Sequence, residues 1–298
     1  MRVVVFGGSG FIGRALAKEL VNRGAEVVVA DLNPPPPGVG GLYRFADVRD
    51  AVAVDEIMRG ADAVANMAAL PHRVGNENPA LDFEVTARGT LNVLEAARKR
   101  GAKKVLFASS TMVYGEQPKL PLDESMACLP KVPYAASKLA AEQYCRVYND
   151  LYGLPAVVLR YANVYGPGQA GGFLLPELMG RLARGEPVTV FGDGMQTRDF
   201  VYVDDVTAAN VLALENWHLK FGLFNVGSGV ATRVRDLVYE LYQVAGKPHN
   251  IIFAPARPWE ITRADVSIAL ARTMLGYSPK VDLAEGLGRT WAAFSLDK

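Results

Sequence analysis

Cysteine is scarce in this 298-residue chain: only Cys128 and Cys145 occur, with no CxxC pair and no Cys/His cluster. A disulfide framework and a zinc site are therefore not expected, and both cysteines read as structural. Histidine is as rare. His72, His218 and His249 are scattered without ligand spacing and read as surface or loop residues. There is no surplus of charge either, since 32 basic and 31 acidic residues leave a net +1. That balance gives no general attraction to nucleic acid or to an anionic membrane, although it permits a local basic pocket. No apolar run approaches the roughly 18 residues of a membrane span. The opening run Met1–Phe6 is too short for a secretory signal, so a protein of the reducing cytoplasm is expected. No internal repeat is found, and low complexity is confined to Pro34–Pro37.

What is abundant is apolar sequence, at 50% of residues, enough for one large domain or two moderate ones. Residues 2–6 read as a buried strand and run directly into Gly7-Gly8-Ser9-Gly10-Phe11-Ile12-Gly13, followed by a helical pattern. Gly7, Gly10 and Gly13 are spaced GxxGxxG, and Gly8, Gly10 and Gly13 also satisfy GxGxxG. Such a turn lets backbone approach a pyrophosphate, which then sits on the helix N-terminus at Phe11 and Ile12. A lone motif of this kind is weak, but here it lies between a strand and a helix, as it must. Glu26–Ala30 reads as the second strand and ends at Asp31, close to the distance of about twenty residues expected of a ribose-binding acid. No Arg or Lys follows until Arg44, so NAD is favoured over NADP. The bland reading of Asp31 is a strand-end turn residue.

Leu42–Phe45 reads as a third strand. Asp47 and Val48 beyond it either lie against an adenine or, for Asp47, cap the next helix. A strand over 61–67 ends in the small residues Ala68 and Ala69, past which a cofactor could run. A long helix over 79–100, a strand over 103–109, a second long helix over 134–152 and a strand over 156–161 follow. The alternation predicts an α/β fold with a doubly wound parallel sheet, a Rossmann architecture. Gly7, Asp31, Ala68, Ser110 and Asn163 all fall at strand ends, where such sheets bind ligands. Residues 1–165 read as the dinucleotide-binding domain. Residues 166–298 read mainly as a smaller substrate domain, with segments around 200–226 returning to the sheet.

Pro133-Tyr134-Ala135-Ala136-Ser137-Lys138 brings a tyrosine and a lysine onto one helical face. A free tyrosine has a pKa of about 10 and is a poor base at neutral pH. A nearby ammonium and a helix N-terminus both favour its phenolate, and Pro133 suits the first helical turn.

Taken together, these pieces resemble the extended short-chain dehydrogenase/reductase family in its nucleotide-sugar epimerase/dehydratase branch. The resemblance is carried by Gly7-x-x-Gly10-x-x-Gly13, Asp31, Ser109-Ser110-Thr111-Met112-Val113-Tyr114-Gly115 and Tyr134-x-x-x-Lys138. It continues through Arg160–Pro167, Phe191-Gly192-Asp193-Gly194-x-x-Thr197-Arg198-Asp199-Phe200-Val201 and Val203-Asp204-Asp205, in family order over nearly the whole chain. It implies NAD as cofactor, held by the glycine loop, Asp31, Asp47, Val48, Ala68, Ala69, Tyr134, Lys138 and Tyr161. It implies Tyr134 as acid/base, with Lys138 on the nicotinamide ribose and lowering the tyrosine pKa. Ser110, assisted by Thr111, would hold the reacting sugar hydroxyl. Asn163, Arg198, Arg257 and Glu260 would contact the nucleotide of a nucleotide-sugar substrate. The implied reaction is 4-epimerisation of a UDP-glucose/UDP-galactose type sugar through a transient 4-keto form. The helices over 79–100 and 133–152 resemble those that pair family members into homodimers.

Dehydratases of this branch carry Asp-Glu directly after the catalytic Ser/Thr, where this chain has Thr111 and Met112; methionine cannot transfer a proton. Epimerisation is therefore favoured over dehydration. Thr86 stands where the family usually has Asn, and Arg257-Pro258-Trp259-Glu260 replaces a usual Arg-x-Gly-Asp, so the base and sugar stay open. Epimerases of UDP-glucuronate or UDP-N-acetylhexosamine, a decarboxylase, an NAD(P)-dependent dehydrogenase and a non-catalytic dinucleotide sensor are the other readings. The sensor is disfavoured because both Tyr134 and Lys138 are present.

Overall fold

Strands that are apolar on every residue need cover on both faces, and here helices supply it. In the computed structural model, which describes residues 1–256 and 262–296, the first half of the chain alternates regularly. It runs β1 (Arg2–Phe6), α1 (Phe11–Asn22), β2 (Glu26–Asp31), β3 (Leu42–Phe45), α2 (Ala51–Ile57), β4 (Ala63–Asn66), α3 (His72–Glu77), α4 (Pro79–Phe83) and α5 (Gly89–Arg100). It continues with β5 (Lys104–Ser110), α6 (Pro133–Tyr152) and β6 (Ala156–Tyr161). The second half adds β7 (Asn163–Tyr165), α7 (Leu174–Ala183), β8 (Val188–Phe191), β9 (Thr197–Tyr202), α8 (Val203–Glu215) and β10 (Phe221–Val226). β11 (Ala231–Arg233), α9 (Val234–Ala245), β12 (Ile251–Ala254), β13 (Arg263–Ala264), α10 (Ala269–Leu275) and α11 (Leu283–Leu296) complete it.

Seven strands form one parallel sheet in the order β10-β6-β5-β4-β1-β2-β3, which is the doubly wound fold expected. One face buries Val3, Val5, Leu106 and Leu159 against α1 and α8. The other buries Val4, Phe6, Val105 and Phe107 against α2, α5 and α6. Strand order reverses between β1 and β4, so a crevice opens above their C-terminal ends.

β10 supplies the seventh strand, whereas β9 is the centre of a separate small sheet with β7, β11 and β13. β8 and β12 form a two-stranded parallel pair. A third core of Leu178, Leu182, Tyr202, Leu237 and Leu241 lies beneath this part. The segment 79–100 is helical throughout but not regular: Glu84–Arg88 is a π-helical stretch between α4 and α5. The helix before β4 is capped by Asp50, whose side chain accepts from the N–H groups of Val52 and Ala53 (2.9 and 3.1 Å), and not by Asp47. Among the described residues no helix is long and apolar enough to cross a membrane.

A buried ion pair fixes α6 to the sheet. Arg160 on β6 donates to both Glu142 oxygens, at 2.9 and 2.6 Å, and both side chains are almost wholly buried. The Ser109 hydroxyl donates to the same carboxylate, and the guanidinium also covers the Tyr114 ring and reaches the Cys128 sulfur. Removing one partner of such a pair strands a charge in the core. Glu142→Ala should therefore lower unfolding free energy by about 3–5 kcal/mol, and Glu142→Leu combined with Arg160→Met should recover most of it. Urea unfolding of the two variants measures both effects.

Candidate active site

The glycine loop is packed too tightly for any side chain. A Cβ on Gly13 would lie 2.1 Å from the Gly7 carbonyl oxygen. Gly7 has φ +70°, and a Cβ there would meet the Ala68 nitrogen at 2.6 Å. The loop after β1 therefore touches the end of β4 through bare backbone. The Gly10 N-cap brings no side-chain cap to α1, so the N–H groups at Phe11 and Ile12 open the helix to an anion. Beside them, at the end of β2, Asp31 accepts from the Ser9 N–H at 3.0 Å and the Asn33 N–H at 3.2 Å. A narrow backbone cradle, a helix N-terminus and a strand-end carboxylate together fit a dinucleotide's pyrophosphate and ribose.

Other residues of the expected cofactor set lie around this cradle. Ala68 and Ala69 are half-buried at the end of β4, and the Ala68 N–H donates to Asn66 Oδ1 at 3.2 Å. Val48 is buried against Gly89. Asp47 is engaged by Arg49, whose hydrogen bond holds its carboxyl below the usual range. Tyr161 is buried, and its hydroxyl donates to Asn210 of α8 at 2.6 Å and lies 3.8 Å from the sulfur of Met67, just before Ala68.

Across the crevice stand Ser110, Thr111, Tyr134 and Lys138. Ser110 ends β5 and caps the short 3-10 turn Thr111–Tyr114, accepting from the Met112 N–H at 3.2 Å. Pro133 occupies the first turn of α6, and the Tyr134 N–H donates to Asn76 Oδ1 at 3.2 Å, which pins the start of α6 to α3. Lys138 is buried; its ammonium donates to the Ala108 carbonyl at 2.6 Å and lies 5.8 Å from the Tyr134 ring centroid. Burial draws Lys138 down to about 8, with Asp82 and Glu142 acting the other way. The sequence argument has the neighbouring ammonium favour the phenolate. In the structure burial wins: it pushes the Tyr134 hydroxyl up to about 12, Asp82 adds to the rise, and a hydrogen bond with Ser110 opposes it. The cluster is thus a half-buried phenol poised to exchange a proton with a hydroxyl placed between it and Ser110.

Asn163 and Arg198 are brought together on neighbouring strands. Asn163 of β7 pairs with Phe200 of β9, and its amide donates to the Asp199 carbonyl at 3.1 Å. Arg198 is half-buried two residues earlier on β9 and donates to the Thr197 carbonyl at 2.8 Å. Arg257 and Glu260 lie outside the described residues. Among the described residues no group of His, Cys, Asp and Glu could hold a metal ion.

Two residues here were not read as site residues from sequence. His72 is half-buried, not superficial, and its ring sits 6.4 Å from that of Tyr134 and 5.7 Å from that of Phe173. Burial lowers its pKa, aided by Arg73. Asp82 is fully buried near Tyr134 and Lys138. The only sequence signal for Asp82 is an acidic residue four before Thr86, both within an otherwise amphipathic helix.

Comparison with known proteins bears on the family and the fold. The model of the NAD dependent epimerase/dehydratase family matches residues 3–227. A UDP-glucose 4-epimerase from Mycolicibacterium smegmatis is 36% identical, with 97% of each chain covered. The solved structure of the Thermus thermophilus UDP-glucose 4-epimerase in complex with NAD has a TM-score of 0.90 at 38% identity, covering 99% of both chains. A UDP-N-acetylglucosamine 4-epimerase from Methanobrevibacter ruminantium has a TM-score of 0.92 at 30% identity, covering 100% of this chain and 99% of that one.

NAD is the cofactor this cradle serves. Gly13→Ala should weaken NAD binding at least roughly tenfold, or about 1.4 kcal/mol, because the new methyl forces the loop open. Isothermal titration of the purified variant with NAD checks this.

Proposed function

The chain belongs to the NAD-dependent epimerase/dehydratase family, and we propose that it interconverts a nucleotide sugar with its 4-epimer, UDP-glucose and UDP-galactose being the first pair to test. One observation carries the reading: buried Lys138 lies 5.8 Å from the Tyr134 ring one helical turn away, beside the strand end that carries Ser110 and across the crevice from the glycine cradle. The glycine loop and Asp31 would hold NAD, which would supply reversible hydride transfer to the sugar carbon.

The residues divide the remaining work. Ser110 orients the sugar hydroxyl, and Tyr134 takes its proton as the carbon becomes a ketone. Alignment of hydroxyl and phenol in one buried site replaces a random encounter, which is where proximity lowers the barrier. Lys138 would hold the cofactor ribose. Asn163 and Arg198 receive the diphosphate, for which a guanidinium is suited. Once the keto sugar turns over, Tyr134 returns the proton to its oxygen. Met112, directly after Thr111, offers no carboxyl group to eliminate water, and this supports epimerisation over dehydration. Solved relatives act on both UDP-glucose and UDP-N-acetylglucosamine by name, so the test panel includes N-acetyl and glucuronate sugars.

The same reading includes a homodimer. Tyr144, Val147 and Leu151 form an exposed apolar stripe along α6, with Phe83 exposed on the neighbouring α4. A second copy of this face would cover it.

Two outcomes are expected. Wild-type protein with NAD converts UDP-galactose to UDP-glucose, while Tyr134→Phe loses turnover and still binds NAD. Absence of conversion with every UDP-hexose in the panel would refute the reading. Leu151→Glu should shift the protein from dimer to monomer in light scattering coupled to size exclusion.

A further inference from the structure

One segment at the crevice has no part in the reaction just described. The chain leaves β7 through Gly166–Gly172 and enters α7 at Phe173, its N-cap. The start of this stretch is fixed. Gly166 lies against Val203, the Gln169 N–H donates to the Gly166 carbonyl at 3.3 Å, and the Gln169 amide donates to the Val164 carbonyl at 2.8 Å. Beyond it Ala170, Gly171 and Gly172 are exposed, and a Cβ on either glycine would meet nothing within 4 Å. The middle of the stretch thus runs free between two fixed points.

Those points lie on opposite sides of the crevice. On one side the Arg14 guanidinium, at the first turn of α1, donates to the Gly168 carbonyl. Gly168 has φ +75°, and a Cβ there would run into that guanidinium, so bare backbone is pressed against it. The guanidinium also lies over the Phe11 ring, 6.0 Å from its centroid. On the other side the Phe173 ring sits 5.7 Å from that of His72, the first residue of α3, and His72 in turn is 6.4 Å from Tyr134. α1 follows β1 and α3 follows β4, the two strands between which the order reverses. Segment 166–173 therefore spans the mouth of the crevice, from the helix whose N-terminus suits a pyrophosphate to the edge of the tyrosine site.

We propose that Gly166–Phe173 is a strap that gates the NAD crevice, with the Arg14–Gly168 bond and the Phe173–His72 contact as its two latches. Each latch joins protein to protein, and neither uses a group of the glycine cradle or of the Ser110–Tyr134–Lys138 cluster. The cofactor has to pass the strap on entry and on exit, so the latches slow both steps and leave the affinity to the cradle. Gly171 and Gly172, between the latches, give the strap its hinge. One hydrogen bond or one aromatic contact changes how often the strap opens by roughly fivefold. The inference rests on the cradle holding NAD and not on the identity of the sugar.

Surface plasmon resonance, with NAD passed over immobilised protein freed of cofactor beforehand, reads both rate constants. Arg14→Met and Phe173→Ala should each raise the association and dissociation rates together by about fivefold, with Kd within about twofold of wild type. Both side chains are half-buried and lie outside the three hydrophobic cores, so both variants should fold. Unchanged rates in either variant overturn the proposal. So does faster dissociation at an unchanged association rate, which would make the altered residue a direct cofactor contact. Hydrogen exchange of the peptide spanning 166–173, followed by mass spectrometry without cofactor, should quicken in both variants; exchange at the wild-type rate overturns the proposal equally. Protein inactive on every nucleotide sugar would refute the epimerase reading, and the NAD rates would still decide the role of the strap.

Discussion

Everything at the crevice depends on where α6 sits, and the Arg160–Glu142 ion pair settles that. Tyr134, Lys138 and Glu142 follow one another at four-residue steps, so they share one face of the helix. The pair clamps the inner end of that stripe to β6, and Ser109 adds a bond from β5. The Tyr134 N–H, held by Asn76, fixes the outer end. With both ends fixed the ammonium of Lys138 has little freedom, and it meets the Ala108 carbonyl in the middle. Two charges removed from water at high desolvation cost thus set the register of a helix whose other polar groups face a reaction.

The opposite wall is built without side chains. Gly7 and Gly13 let the β1 turn close on itself and on Ala68. β1 and β4 are neighbours in the sheet, so this contact closes the floor at the point where the strand order reverses. One wall is rigid through electrostatics and the other through the exclusion of Cβ atoms.

Much of this could be read from the chain because burial on both faces leaves an unmistakable mark. Val3–Phe6, Val27–Ala30 and Val105–Phe107 are apolar without alternation and became sheet centre. The glycine loop was legible because its spacing and its place between strand and helix are local. The small sheet was not, since β11 and β13 are very short and largely exposed or half-buried, and β9 gathers partners from distant parts of the chain. The Asp47 alternative failed as a cap because Asp50, three residues on, sits nearer the helix start. Asp82 and His72 escaped notice for another reason. Their meaning arises only when α3 and α4 are laid against α6, a contact that no spacing encodes. The tyrosine's proton affinity likewise followed burial, which a linear pattern of Tyr and Lys does not display.

The π-helical stretch over Glu84–Arg88 has a consequence for how this helix can vary. Asp82, Thr86 and Thr90 are buried in succession, and Thr90 Oγ1 donates to the Thr86 carbonyl at 2.5 Å. Beyond them Val93, Leu94 and Ala97 enter the sheet's core. A wider turn absorbs one residue between the two parts. A single-residue deletion there would return the stretch to a regular helix and leave Asp82 and Leu94 on the faces they now occupy. A deletion elsewhere in this helical segment has no such outlet and turns the leading part by about 100° against the trailing one. The wide turn is therefore the one place where this helix can change length and keep both of its buried faces.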